Sequence, residues 1–171
     1  MLKLLAALMF VATATDARAA VDLVSFGDCP SPVRIERIGE TASWQTKQRL
    51  RQIVPFAVES GDRHTWLYVG NEGPQDQGRV SQTEFDRYKS LVVSALGALN
   101  NFHAVDSGPT LTITYEEPPD EGPVGRRIEA VKMILTAGCV VPLFMTSEDQ
   151  RSADDVLRLL SLVYVGDRAD H

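Results

Sequence analysis

Residues 81–115, SQTEFDRYKSLVVSALGALNNFHAVDSGPTLTITY, contain the clearest helix and the clearest strand of the chain. Ser81 and Glu84 form an S-x-x-E capping box, which is a typical helix start. Asn100 and Asn101 favour turns, so we expect the helix to end just before them. The residues that recur at helical spacing between these signals are Phe85, Tyr88, Leu91, Val92, Ala95, Leu96 and Leu99.

Residues 110–115 follow this helix after a short turn and alternate strictly between threonine and larger side chains. That alternation predicts a strand whose buried face carries Leu111, Ile113 and Tyr115. Residues 116–125 then contain two glycines, three prolines and four acids, which predicts an exposed connection. The acids lack the spacing of a calcium loop, so we expect no metal there.

Residues 127–145 allow either a helix followed by a strand, or two strands joined at Gly138. We favour two strands, because each apolar run has only about seven to nine residues between glycine, proline or polar punctuation. Pro142 would then lie on an edge strand or at a bulge, since proline cannot donate a ladder hydrogen bond.

Residues 152–164 predict the last helix, with Ser152 and Asp155 at its start and Gly166 after its end. Its apolar stripe consists of Val156, Leu159, Leu160 and Val163.

Three further elements are predicted nearer the N-terminus. Residues 42–53 fit helical spacing, and Pro55 would end or kink a helix there. Residues 65–69, TWLYV, and residues 21–26 are predicted to be strands. The resulting order, strand, helix, strand, helix, three strands, helix, predicts an α+β domain. We expect a mostly antiparallel sheet with two to three helices packed on one face and one disulfide.

The first nineteen residues, MLKLLAALMFVATATDARA, have the pattern of a signal peptide. Lys3 precedes an apolar run over residues 4–14, and Ala17 and Ala19 form an A-x-A-like cleavage pattern. We expect cleavage after Ala19, and location of the mature chain in the periplasm or the medium.

The apolar run of the signal is shorter than the roughly 20 residues that a membrane span requires, so we expect no stable membrane insertion after cleavage. An earlier A-x-A pair, Ala12 and Ala14, leaves a second cleavage position open. Residues 20–171 have the usual size of a single globular domain.

The mature chain is acidic. Removing Lys3, Arg18 and Asp16 from 17 basic and 23 acidic residues leaves 15 and 22, a net charge of −7. Acidic charge and export both argue against nucleic-acid binding. The chain has no phosphate-loop pattern, and we expect no cofactor.

Cys29 and Cys139 are the two cysteines of the chain. In an oxidising compartment, a lone pair of cysteines in a small domain predicts a structural disulfide. A redox pair would usually show C-x-x-C spacing, and structural zinc would usually have four ligands at short spacings. Neither pattern is present, which favours a disulfide.

His64 and His103 are the candidate catalytic residues, although neither lies at a diagnostic spacing from a nucleophile. A general-base arrangement would require the fold to bring one of them beside Asp106, Glu84 or a serine such as Ser90. Without such geometry, both are expected to be exposed, structurally neutral histidines.

Four aromatic residues could belong either to the core or to a ligand-binding groove. Trp44, Trp66, Tyr68 and Tyr88 are expected to pack in the core, with a ligand groove as the alternative.

These observations predict an exported, non-catalytic domain that binds another protein of the cell envelope or the extracellular space. One alternative is a small exported hydrolase that uses His64 or His103. Another is a secreted effector or inhibitor. Specific partner and oligomeric state do not follow from the sequence.

Overall fold

The computed structural model describes residues 33–36, 39–47, 49, 54, 56–70, 79–117, 126–148 and 151–165. In these residues the strands are β1 (Val33–Ile35), β2 (Gln45–Thr46), β3 (Phe56–Glu59), β4 (Thr65–Val69), β5 (Asn100–Asp106), β6 (Thr110–Glu117), β7 (Arg127–Thr136), β8 (Cys139–Ser147) and β9 (Val163–Val165). The two α-helices of the described residues are α1 (Gln82–Leu96) and α2 (Ala153–Ser161), and a short 3-10 helix covers Gly39–Ser43.

Within the described residues, seven strands form one antiparallel sheet in the order β2-β3-β4-β8-β7-β6-β5. The remaining two, β1 and β9, pair with each other. The described part of the chain is therefore mostly antiparallel sheet, as expected.

The prediction of helix α1 is confirmed. Ser81 is its N-cap, and the capping box with Glu84 is complete in both directions. Leu91, however, lies on the outside of the helix and is 64% exposed. The helix ends at Leu96 and the turn is formed by Gly97 and Ala98, whereas Asn100 and Asn101, which were expected in the turn, already belong to β5. A β-bulge, with Asn101 at a φ of 49°, gives this strand an irregular start that the alternation pattern did not reveal.

The two strands predicted for residues 127–145 are also confirmed. Ala137 and Gly138, with φ of 49° and 80°, connect β7 to β8 by a two-residue turn. Positive φ at both positions is the conformation that matches the twist of a tight hairpin. Within the hairpin the sequence IEAVKMIL of β7 runs beside VVPLFM of β8.

Pro142 was expected on an edge strand or at a bulge, and this prediction is wrong, because β8 lies between β4 and β7. The ladder of β4 with β8 ends at the pair Val69–Leu143, so Pro142 lies one residue beyond it. Its carbonyl still accepts a hydrogen bond from the Gly70 N–H at 3.1 Å. Proline is tolerated here because its neighbouring strand has ended.

The two helices lie on opposite faces of the sheet. We call the face that carries α1 the front face, and the face that carries α2 the back face. Alternate residues of β7 separate the two: Val131 and Met133 join Phe85 of α1 in the front cluster, whereas Ala130 joins Leu159 of α2 in the back cluster. The prediction that the helices pack on one face is therefore wrong.

The helices pack on both faces because the central strands are apolar on both faces. β7 and β8 are apolar at successive positions, which is typical of strands that are covered on both faces. The buried residues of these two strands are Ile128, Glu129, Ala130, Val131, Met133, Cys139, Val140, Val141, Pro142, Leu143, Met145, Thr146 and Ser147.

The described part of residues 42–53 contains no α-helix, contrary to prediction. Trp44 follows the 3-10 helix and is buried in the back cluster. The Lys47 N–H donates to the Ala57 carbonyl at 3.0 Å and extends the pairing of β2 with β3. Burial of one large side chain and pairing with β3 thus outweigh the helical spacing of the apolar residues.

The last helix is shorter than predicted. It starts at the capping box of Ser152 and Asp155, as expected, but ends at Ser161. Val163–Val165 continues as β9, because the other end of the chain supplies β1 as an antiparallel partner. Gly166 lies outside the described residues.

One disulfide was part of the predicted fold. Cys139 is buried at the start of β8, whereas Cys29 lies outside the described residues, so the predicted bridge between them falls outside the described part of the chain. The fold is corrected to a mostly antiparallel sheet with one α-helix on each face. Residues 1–19 and the strand predicted over 21–26 also lie outside the described residues, in which no helix is long and apolar enough to cross a membrane.

Candidate functional site

Four half-buried aromatic rings lie on β4, β6 and β8 of the front face. They are Trp66 and Tyr68 of β4, Tyr115 of β6 and Phe144 of β8, and we call them the aromatic patch. Tyr68 lies opposite Phe144 in the strand register, and the two rings stack with centroids 5.0 Å apart at 12°. Strand pairing thus aligns the rings, because side chains at paired positions point to the same face.

Two cations approach the indole of Trp66. The Lys47 Nζ lies 3.8 Å from the ring centroid, and the Arg127 guanidinium carbon lies 5.9 Å from it. Both distances allow cation–π attraction. Lys47 also forms an ion pair with Glu59 at 3.5 Å, so this cation is held at the edge of the patch.

Glu129 is a buried carboxylate in the same part of the front face, 5% exposed. One of its oxygens accepts a hydrogen bond from Arg127 Nε at 2.7 Å, and the other accepts one from Thr146 Oγ1 at 2.8 Å. Burial raises the pKa of Glu129, and the hydrogen bonds from Thr146 and Arg127 oppose that rise. Both carboxylate oxygens therefore have a fixed partner.

Arg127 is held between two carboxylates. It also pairs with Glu117 at 3.2 Å, and its side chain is 32% exposed. Burial works against the charge on Arg127, but Glu129 and Glu117 outweigh it and raise the pKa of the guanidinium. The result is a rigid, partly exposed cation at the edge of the aromatic patch.

Tyr115 lies opposite Glu129 in the register of β6 with β7. Burial, reinforced by the negative charges of Glu129 and Glu117, raises the pKa of the Tyr115 phenol to about 12. The phenol therefore stays neutral at physiological pH and keeps its O–H as a donor.

This arrangement is suited to binding. Within the described residues of the patch, the hydroxyl that hydrogen-bonds to a carboxylate is that of Thr146, and Thr146 is 1% exposed, so a substrate could not reach it. The patch leaves four half-buried rings and a partly exposed guanidinium accessible to a partner. Tryptophan, tyrosine and arginine are the residues that most often dominate the energy of protein interfaces.

The two candidate histidines lie elsewhere. His64 is exposed just before β4, where its backbone N–H donates to Asp62 Oδ1 at 3.1 Å. His103 is exposed on β5 opposite Thr114. In the described residues no hydrogen bond or ion pair joins either imidazole to a carboxylate or a serine.

The residues considered as their partners have other roles. Asp106 accepts a hydrogen bond from Lys89 at 2.7 Å, and by strand alternation its side chain points away from the face that carries His103. Glu84 belongs to the capping box of α1. The Ser90 hydroxyl donates to the carbonyl of Asp86 at 3.0 Å.

The four aromatic residues noted in the sequence divide evenly. Trp44 is 2% exposed in the back cluster, and Tyr88 packs against the front cluster, as expected of core residues. Trp66 and Tyr68 alternate with the buried Thr65, Leu67 and Val69 and so share the front face of β4. An aromatic row on the less buried side of a strand was the available sequence signal for the patch.

Sequence reasoning missed Phe144, Arg127 and Glu129. The signal for Glu129 was an acid inside the otherwise apolar run of β7, which implies a paired charge. Its partner could not be identified, because Arg127 and Thr146 become neighbours of Glu129 only through strand alternation and pairing.

The described residues contain no group of three or more histidine, cysteine, aspartate or glutamate side chains that could hold a metal ion. Comparison of the chain with protein families, with characterised proteins and with solved structures found no match.

Proposed function

We propose that the protein is an exported, non-catalytic domain that binds another protein of the cell envelope or the extracellular space through the aromatic patch. The observation that carries the proposal is the half-buried cluster of Trp66, Tyr68, Tyr115 and Phe144 next to Arg127. Export is supported by the signal pattern of residues 1–19.

The patch is preorganised for binding. Arg127 is held by Glu129 and Glu117, and Tyr68 is held by stacking on Phe144. Side chains that are already fixed lose less conformational entropy when a partner binds, which strengthens the complex. A central aromatic and arginine group with paired charges around it is the usual anatomy of a protein interface.

Crosslinking followed by affinity capture from the native compartment tests the proposal. We expect the purified protein to capture a specific partner, and the Trp66→Ala and Arg127→Ala variants to lose it. A hot-spot residue contributes roughly 2 kcal/mol or more, so the Kd of the captured partner should rise about 30-fold in each variant.

Leu91→Ala is the matched control, because Leu91 is an apolar residue that is 64% exposed on α1 and lies outside the patch. Its Kd should equal that of the unchanged protein, and all variants should keep their far-ultraviolet circular dichroism. A partner that binds the patch variants as tightly as the control would contradict the proposal. So would substrate turnover that disappears in His64→Ala or His103→Ala.

A further inference from the structure

The two edges of the seven-stranded sheet are unequal. One edge is β2, which has only two residues and is followed directly by Lys47. The other edge is β5, which has seven residues, all exposed or half-buried. Short strands and lysines are the usual protection of a sheet edge against pairing with another chain. The described residues provide this protection at β2, whereas β5 has only the bulge at Asn101, which leaves residues 102–106 as a regular edge.

The backbone of β5 has an unused bonding side. The Ser107 N–H donates to the Thr110 carbonyl at 2.9 Å and closes the turn between β5 and β6. Bonding then alternates along an antiparallel pair, so that Val105 and His103 bond to β6. The N–H and C=O groups of Phe102, Ala104 and Asp106 point away from the sheet, and no strand of the described residues pairs with them.

The side chains of β5 also favour pairing. Val105 is 51% exposed, so this edge strand carries an apolar side chain that a second strand could cover. The strand contains one acid, Asp106, whose carboxylate accepts a hydrogen bond from the Lys89 Nζ at 2.7 Å. Lys89 is almost fully buried, so this charge is neutralised within the subunit. The edge therefore presents no unpaired carboxylate or ammonium group to an incoming strand.

We propose that two copies of the chain associate by antiparallel pairing of their β5 strands about a two-fold axis at Ala104. Ala104 then lies opposite the partner's Ala104, and Phe102 lies opposite the partner's Asp106. These three outward-pointing positions form about six backbone hydrogen bonds. Val105 becomes covered by the partner's His103 on the same face of the joined sheet.

A second copy fits this edge better than a charged strand would. The same uncharged surface on both subunits can be self-complementary, as a two-fold interface requires. The register places no like charges opposite each other, which would destabilise a strand pair. The net charge of −6 makes two whole chains repel each other, so we expect dimerisation to strengthen as salt screens that repulsion.

The mass of the purified protein in solution tests the proposal. Sedimentation equilibrium and light scattering at about 1 to 100 μM should give twice the mass of one chain, with a larger dimer fraction at higher salt. Ala104→Pro removes an N–H that points away from β6, and Val105→Lys places a charge on the edge. Each substitution should raise the dissociation constant at least 10-fold.

Leu91→Lys is the matched control, because it introduces the same charge at an exposed apolar residue on α1 and should leave the mass unchanged. Thermal unfolding checks the fold of each variant, and Val105→Lys decides the matter if the proline variant unfolds. A wild-type protein that is monomeric at 100 μM would overturn the proposal and leave the edge to a strand of another protein. A dimer that persists in Val105→Lys would overturn it as well.

This interface does not involve the aromatic patch, so Trp66→Ala should leave the dimer intact. The two proposals can therefore fail separately.

Discussion

Arg127 provides the sharpest test of how the front face is held together. The change we consider is Arg127→Met, which keeps much of the aliphatic length but removes the charge and the hydrogen bond to Glu129. Glu129 then remains 5% exposed with only the Thr146 hydroxyl as a partner. A buried carboxylate that loses its cation is strongly destabilised.

The expected loss of stability in Arg127→Met depends on how far the Arg127–Glu129 ion pair is exposed to solvent. Loss of a hydrogen bond to a charged group costs about 1.5–3 kcal/mol, and complete loss of a buried ion-pair partner costs about 3–5 kcal/mol. Arg127 is 32% exposed and also pairs with Glu117, so solvent screens part of the interaction. We therefore expect the free energy of unfolding to fall by about 2–3 kcal/mol at pH 7.5.

The loss should depend on pH. Burial already holds the pKa of Glu129 above its unfolded value, and removal of Arg127 raises it further. Between the unfolded and the folded pKa the folded chain binds more protons than the unfolded chain, so stability falls as pH rises through that window. The destabilisation should consequently shrink as the pH falls from 7.5 towards 4.5, because a protonated Glu129 no longer needs a cation as its partner.

Urea unfolding followed by tryptophan fluorescence measures both values. Lys47→Met serves as the control, because it also removes one positive charge next to Trp66. Its pair with Glu59 is more weakly coupled and should contribute about 1 kcal/mol or less. Equal losses in the two variants, or a loss for Arg127→Met that does not change between pH 7.5 and pH 4.5, would refute the reasoning.

Four further substitutions have defined outcomes in the same unfolding assay. Ser81→Ala and Ser152→Ala each remove an N-cap and should each cost about 1 kcal/mol, with additive effects because the two caps belong to helices on opposite faces. Gly138→Ala should cost about 1–3 kcal/mol, because φ is +80° at that position. Gly70→Ala places a Cβ 2.5 Å from Cε2 of Phe144, and we expect a shifted ring, altered near-ultraviolet dichroism and a loss of about 1–3 kcal/mol. Unchanged near-ultraviolet dichroism in this last variant would contradict the packing described for Phe144.

Local signals in the sequence predicted the elements that depend on local chemistry. The capping boxes at Ser81 and Ser152 placed both helix starts correctly, because the hydrogen bonds of a cap lie within four residues. The glycine at 138 separated two strands for a similar reason, since a tight turn requires positive φ.

Errors occurred where distant pairing decides the outcome. Residues 42–53 have helical spacing, yet β2 forms because β3 is available beside it. β5 lacks strict alternation, because a bulge at Asn101 interrupts it, and its pairing with β6 still makes it a strand. Which segments become neighbours in the sheet cannot be deduced from the pattern of a single sequence.

The aromatic patch shows the same division. From the sequence, Trp66 and Tyr68 were expected to pack in the core, with a ligand groove only as the alternative. The ion pair of Glu129 with Arg127 was not identified from the sequence. Residues two apart on a strand share a face, but this spacing indicates a buried ion pair only when that face is known to be covered. The sequence did not show that α1 and α2 cover different faces of the sheet.

The pairing of β1 with β9 has a consequence for how the chain reaches its folded state. Val33 of β1 pairs with Val165 of β9, so β1 cannot adopt its folded position until β9 has been synthesised. Residues 79–148, by contrast, connect α1 and four successive strands through short-range contacts and can form early. During synthesis, this early unit exposes its apolar back face until α2 and β9 have been made. That interval is when we expect the chain to be most prone to aggregation, and most dependent on chaperones.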